Sequence, residues 1–121
     1  MYFDLFLDFL GNVISPSCPV VGKYDNEKNS YAFPLLKGGY EFCIFVEPQG
    51  NNSVLIQIAY NQQTKLTCCL DENDEMLYNE NKWKESVYGK WLSSPDYDAS
   101  IQDEIKNILF IIYMSFTLCV E

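Results

Sequence analysis

Residues 40–70 alternate between apolar and polar side chains in three successive runs, and this alternation constrains the fold more than any other feature of the sequence. A period of two is typical of a β-strand with one buried face, and turn-forming residues separate the runs at Pro48–Asn52 and at Gln62–Gln63. The sequence therefore predicts an antiparallel meander. Its core face consists of Phe42, Ile44, Val46, Val54, Ile56, Ile58, Tyr60, Leu66, Cys68 and Leu70.

The opposite face of this predicted sheet carries polar residues such as Glu41, Glu47, Gln57 and Lys65. A parallel sheet that is buried on both faces would not have this pattern, so the meander needs a cover on one face only. We therefore expect an α+β fold, an antiparallel β-meander covered on one face by helices. At 121 residues, the whole chain (1–121) is expected to form a single domain.

The C-terminal segment predicts the most definite helix. Ser100 and Asp103 resemble a capping box, and Asp103 and Glu104 are favoured in a first turn by the helix dipole. From Ile105 onward the segment is apolar on almost every side, but it is shorter than the roughly 18–20 residues of a membrane span. We expect a buried helix that packs on the sheet.

The patterns of two further segments fit a helix better than a strand, but both structures are compatible with them. In Tyr2–Ile14 the polar residues recur every four positions. In Lys82–Leu92 the apolar residues Trp83, Val87 and Trp91 are also spaced four apart. A helix is the preferred interpretation of both segments, and a strand stays open for each.

The remaining stretches carry turn-forming and polar residues. Ser15–Pro34, rich in these, predicts irregular surface structure with a short extended piece at Val20 and Val21. The acidic run Asp71–Glu80 predicts an exposed loop.

The charge of the chain limits its partners. With 17 acidic and 8 basic residues, the net charge is -9 and the pI is about 4.3. This charge repels phosphate, so we expect neither nucleic acid nor an anionic membrane as a partner. A basic protein is the partner that such a field attracts most strongly.

The residue types that carry common catalytic chemistry are missing. The sequence contains no histidine, which excludes Ser-His-Asp and Cys-His arrangements and imidazole metal ligands. It also contains neither a P-loop nor a G-x-G-x-x-G motif. We do not expect an enzyme, and we expect no cofactor.

The five cysteines favour free thiols over a metal site or a disulfide framework. Cys68 and Cys69 are adjacent, so in a strand they point to opposite faces, and no C-x-x-C pair is present. The N-terminal stretch carries two acids and no basic residue, unlike a signal peptide. We expect a cytoplasmic protein.

A calcium loop is also a poor fit. Asp71, Asn73 and Glu75 match the first, third and fifth ligand positions of an EF-hand. However, Met76 replaces the glycine and Lys82 replaces the bidentate glutamate. We expect no metal site in this run.

Exposed acids interspersed with aromatic residues are the best candidates for a partner-binding surface, because such a surface suits a basic partner. The candidate residues are Asp71, Glu72, Asp74, Glu75, Tyr78, Glu80, Asp96, Tyr97 and Asp98.

In this profile of small size, acidity, thiols, α+β architecture and missing catalytic residues, the chain resembles bacterial immunity proteins against toxins of contact-dependent growth inhibition. The resemblance implies a cognate toxin domain, a basic nuclease, that the protein binds and neutralises. We expect the chain to be a monomer outside that complex. The alternative is a non-enzymatic adaptor that oligomerises through the apolar face of its C-terminal helix, from Phe110 to Leu118.

Overall fold

The computed structural model, which describes residues 3–50 and 52–120, contains one antiparallel sheet of five strands. Each strand is hydrogen-bonded to the next strand in the chain, so the sheet is a meander. The strands are β1 (Lys23–Asp25), β2 (Ser30–Lys37), β3 (Tyr40–Pro48), β4 (Ser53–Tyr60) and β5 (Gln63–Asp71).

The alternation in residues 40–70 predicts the faces of the sheet correctly. Every residue of the predicted core face is buried except Tyr60, which is partly exposed. The two-residue turn at Asn61 and Gln62 has positive φ at both positions, which matches the right-handed twist of the flanking strands. The opposite face is less polar than expected, because Phe45 and Ala59 are also buried there.

The prediction of irregular structure for Ser15–Pro34 is wrong, because β1 and most of β2 lie within it. Pro34 is paired with Cys43 of β3, yet β1 covers only residues 30–32 of β2. The hydrogen-bonding register directs the backbone nitrogen of residue 34 away from β3. On that side residue 34 has no strand partner among the described residues, so the missing N–H of proline breaks no hydrogen bond of the sheet. Proline is tolerated at such an edge position, so it did not interrupt the strand.

Three helices cover one face of the sheet: α1 (Phe3–Ile14), α2 (Glu80–Leu92) and α3 (Gln102–Val120). The preferred helical interpretation of both uncertain segments is confirmed over the described residues; Tyr2 lies outside them. Helix α3 contacts both α1 and α2, and its buried residues join the core of the sheet. The α+β prediction with a buried C-terminal helix is therefore confirmed.

Two local predictions need correction. Ser100 lies in a 3-10 turn, Ala99–Ile101, that leads into α3, and the side chain of Asp98 caps this turn because it accepts from the Ser100 amide over 3.0 Å. A single 3-10 turn, Glu75–Tyr78, interrupts the predicted loop after β5, and Leu77 anchors this turn in the core. Among the described residues, no helix has the length and hydrophobicity that a membrane crossing requires.

Candidate functional site

A groove of about 480 Å³ lies between the open edge of β5 and helix α2. Strand β5 is the last strand of the sheet, so one of its edges has no neighbouring strand among the residues that the structure describes. After the turn that links β5 to α2, α2 runs back beside this edge. Residues 64–69 of β5 form one wall, and Trp83, Val87 and Trp91 of α2 contribute to the other.

The backbone of β5 presents hydrogen-bonding groups to this groove. The amide of Glu72 donates to the carbonyl of Asn52 over 3.0 Å, which continues the β4–β5 ladder by one pair. In an antiparallel ladder, pairs that exchange hydrogen bonds alternate with pairs that exchange none. Every second residue of β5 before Glu72 therefore bonds to β4, and these residues are Leu70, Cys68 and Leu66. Thr67 and Cys69 therefore direct their N–H and C=O groups away from β4.

The wall formed by α2 contains two large buried aromatic side chains. Trp83 and Trp91 are the two tryptophans of the chain, and both are buried. Trp91 also packs edge-on against Tyr97, with ring centroids 4.8 Å apart. The indole nitrogen of Trp91 is buried and makes no hydrogen bond within the described part of the chain.

The acidic turn between β5 and α2 holds the first group of predicted site residues. Asp71 accepts from the Asn73 amide over 2.9 Å, and Asp74 accepts from the Met76 amide over 3.0 Å. These bonds fix the turn, in which Asp71 is partly exposed and Asp74 is exposed and lines the groove. Glu75, next to Asp74 in the chain, is also exposed.

Three other predicted residues surround the same turn. The Tyr78 hydroxyl donates to the Glu72 carbonyl, while the Tyr78 ring lies 6.2 Å from that of Phe116 and stays 60% exposed. Glu80, in the first turn of α2, pairs with Lys84 over 2.5 Å. Asp71, Glu72, Asp74, Glu75, Tyr78 and Glu80 thus form one contiguous surface, which we call the acidic turn.

In the second predicted group, Asp96, Tyr97 and Asp98, two of the three side chains make contacts within the protein. Tyr97 is half-buried against Trp91, and its hydroxyl donates to the Gln102 side chain. Hydrogen bonds from the side chain and the amide of Ser100 hold the pKa of Asp98 below its usual value. Within this group, only Asp96 lines the groove.

The two groups lie at opposite ends of α2 and do not form one patch. The charges of Asp71 and Asp74 act on Cys69, and the charge of Lys65 acts on Asp98, which places each group near one end of β5. Helix α2 has 13 residues, so the ends are separated by roughly 20 Å. The acids flank the groove rather than fill it, and Lys65 and Lys90 line its wall between them.

The sequence does not predict the groove, because its pattern places both walls in the core. The four-residue spacing indicates only that Trp83 and Trp91 face inward, and the alternation indicates only that β5 is a strand of the meander. The available signal was the position of β5 as the last predicted strand, since a terminal strand leaves an edge open.

A second exposed feature lies on α3. Phe110, Met114 and Leu118 are spaced four residues apart and are 45%, 38% and 45% exposed. Lys84 of α2 lies over the Phe110 ring, 4.4 Å from its centroid. These three residues form an apolar stripe on the outer surface of the helical layer.

The described residues contain no cluster of three or more potential metal ligands. All five cysteines are free thiols, and burial raises the pKa of Cys68 to about 12. Comparisons of the chain with protein-family models, curated proteins and solved structures gave no significant match.

Proposed function

We propose that this protein is a non-catalytic inhibitor that binds a basic protein, as an immunity protein binds its cognate nuclease toxin. The observation that carries the proposal is the acidic turn, where four carboxylates occur within residues 71–75 at the mouth of a groove. Local hydrogen bonds from backbone amides hold Asp71 and Asp74 in place. A pre-organised surface of this kind loses little conformational entropy when it binds a partner.

The chemistry of a nuclease explains why such a surface would inhibit it. A cleft that binds phosphates is positively charged, and carboxylates held in a fixed turn can occupy it in place of the nucleic acid. The net charge of -9 adds long-range attraction, which raises the association rate at low salt. The proposal includes a cytoplasmic location, where an immunity protein meets an incoming toxin.

Capture of the partner tests this proposal. A tagged copy is purified from its own host, and the bound protein is identified and assayed for nuclease activity with and without the tagged chain. We expect a basic protein whose nuclease activity falls when the chain is added. An acidic partner, or a basic nuclease that keeps full activity in the complex, would contradict the proposal.

Two charge-matched variants make the capture specific. Asp74→Lys with Glu75→Lys reverses the acidic turn, while Asp8→Lys with Glu41→Lys makes the same change of net charge on exposed residues elsewhere. We expect the first variant to lose the partner and the second to retain it. Equal loss in both variants would show that only net charge matters.

The apolar stripe on α3 favours a second candidate function, that of an adaptor that oligomerises through this helix. Exposed apolar side chains in a row are a feature of protein interfaces. The mass of the purified chain in solution discriminates the two functions. A monomer supports the inhibitor, whereas a stable oligomer that Met114→Glu dissociates supports the adaptor.

A further inference from the structure

The two edges of the sheet differ in their capacity to accept another strand. At one edge, β1 has only three residues, and Pro34 contributes no N–H to the uncovered part of β2. At the other edge, β5 has nine residues and no proline. Proteins usually protect a long edge against unwanted pairing, and short strands and prolines are among the common devices. Among the described strands, only the β1 edge has these two devices, while β5 has a register irregularity at Lys65 and pairs regularly from Leu66 onward.

The open edge of β5 has the components that an extended peptide needs. Thr67 and Cys69 present N–H and C=O groups, and within residues 3–50 and 52–120 no other strand pairs with them. A strand added there would lie about 4.8 Å from β5, inside the groove. Its alternate side chains would then face Trp83, Val87 and Trp91 on α2.

The charges along the groove give it a direction. The end near Cys69 carries Asp71 and Asp74, and their negative charge contributes to raising the pKa of Cys69, after burial. Asp96 lines the groove at the opposite end, where Lys65 also lies near Asp98, and Lys90 lines the groove as well. Because Lys65 and Lys90 offset the charge of Asp96, a bound segment is favoured when its basic residues lie at the Asp74 end and its remainder is uncharged.

We propose that the groove binds an extended segment of the partner as a sixth strand beside β5. Apolar side chains of this segment pack against α2, and its basic residues reach the acidic turn. This inference rests on the proposed function only in assigning the segment to the same basic partner. Strand addition takes its affinity from backbone hydrogen bonds and its specificity from the pockets for alternate side chains.

The test uses the full chain and a synthetic peptide, acetyl-Lys-Lys-Val-Thr-Val-Thr-Val-amide. Both tryptophans line the groove, so their fluorescence reports occupancy. Thr67→Pro removes an outward N–H without removing a β4–β5 bond, and Thr67→Val keeps that N–H. We expect saturable binding that is at least about fivefold weaker in Thr67→Pro and unchanged in Thr67→Val.

A second measurement does not depend on how Thr67→Pro folds. The same peptide, N-methylated on the backbone nitrogens of its valine and threonine residues, has no backbone N–H to donate along this apolar stretch, and we expect no binding. In the wild-type complex, the amides of Thr67 and Cys69 should exchange with solvent more slowly than in the free chain. Binding of the methylated peptide, unprotected amides, or no binding of the parent peptide would overturn the proposal.

The outcomes separate this inference from the proposed function. If the captured partner depends on Asp74 and Glu75 but binds Thr67→Pro as tightly as wild type, strand addition is wrong and the acidic interface stands. If the peptide binds at β5 but the captured partner is acidic, the groove stands and the nuclease-inhibitor function is wrong.

Discussion

The amide of Val20 donates to the carbonyl of Gly11 over 3.2 Å, and this contact brings the two backbones too close for a side chain on Gly11. A Cβ at position 11 would lie 1.9 Å from the Val20 carbonyl oxygen. The segment that follows α1 is therefore fastened to the helix by a close backbone approach, and this approach requires glycine.

Gly11→Ala should consequently destabilise the protein by about 1–3 kcal/mol, because backbone must move to admit the methyl group. Gly89 provides the control, since it lies in α2 and a Cβ there would meet no atom within 4 Å. Gly89→Ala should stabilise by about 0.5–1 kcal/mol through helix propensity. Chemical denaturation of both variants checks the pair, and equal effects would contradict the Gly11 contact.

The central position of α3 in the core gives a second prediction. Ile108 is fully buried, so Ile108→Ala should lower the free energy of unfolding by about 2–5 kcal/mol. Phe110, two residues later, is 45% exposed, and Phe110→Ala should cost under about 1 kcal/mol. Urea titration measures both, and similar losses would mean that the outer face of α3 is as buried as the inner one.

The buried thiol of Cys68 makes stability fall at high pH. Its folded-state pKa is raised to about 12 from an ordinary value of 9.0, mainly by burial, so the unfolded chain releases the proton first. The contribution of the protonated Cys68 thiol to the free energy of unfolding is fully present below pH 9. It is lost as the pH rises from 9 toward 12, and the free energy of unfolding falls by up to about 1.4 kcal/mol per pH unit.

Comparison with a variant isolates this effect from other groups that titrate in the same range. The difference in unfolding free energy between wild type and Cys68→Ala should shrink between pH 9 and pH 12. Cys18→Ala, at an exposed position, is measured in parallel as a control for the loss of a thiol. A constant difference for Cys68→Ala would mean that the thiol is accessible to water.

Tyr78 connects the acidic turn to the core, because its ring packs on Phe116 and its hydroxyl bonds to the Glu72 carbonyl. Tyr78→Ala should weaken partner binding by removing an exposed aromatic contact, but it leaves the charge unchanged. The slope of affinity against salt should therefore equal that of wild type. A changed slope, measured by calorimetry at several salt concentrations, would show that Tyr78 acts by positioning the carboxylates.

The sheet was predictable where one face alone is buried, as in β3, β4 and β5, since alternation identifies such strands directly. Strand β2 was missed because Pro34 signals a break in sequence, whereas its effect depends on which edge the nitrogen faces. That information comes from pairing, which is a tertiary property. Helices α1 and α2 were ambiguous because their apolar residues fit both periods.

The candidate site was predictable in composition but not in arrangement. The run from Asp71 to Glu80 identified an acidic surface, and the structure brings six of its residues together. Tyr97 and Asp98 looked equivalent in sequence, yet Tyr97 supports Trp91 and Asp98 caps a turn. The groove depends on backbone N–H and C=O groups of β5. Every residue type except proline has both groups, so the sequence does not show which of them are left unpaired.

The most direct test of the acidic-turn interface is the affinity for the captured partner as a function of salt. Wild type is compared with Asp74→Lys/Glu75→Lys and with Asp8→Lys/Glu41→Lys. We predict that wild-type affinity falls as salt rises, chiefly through a slower association rate. We also predict that reversing the turn weakens binding at least about tenfold, while the control changes it far less. Wild-type affinity in the Asp74→Lys/Glu75→Lys variant, with no dependence on salt, would contradict the account.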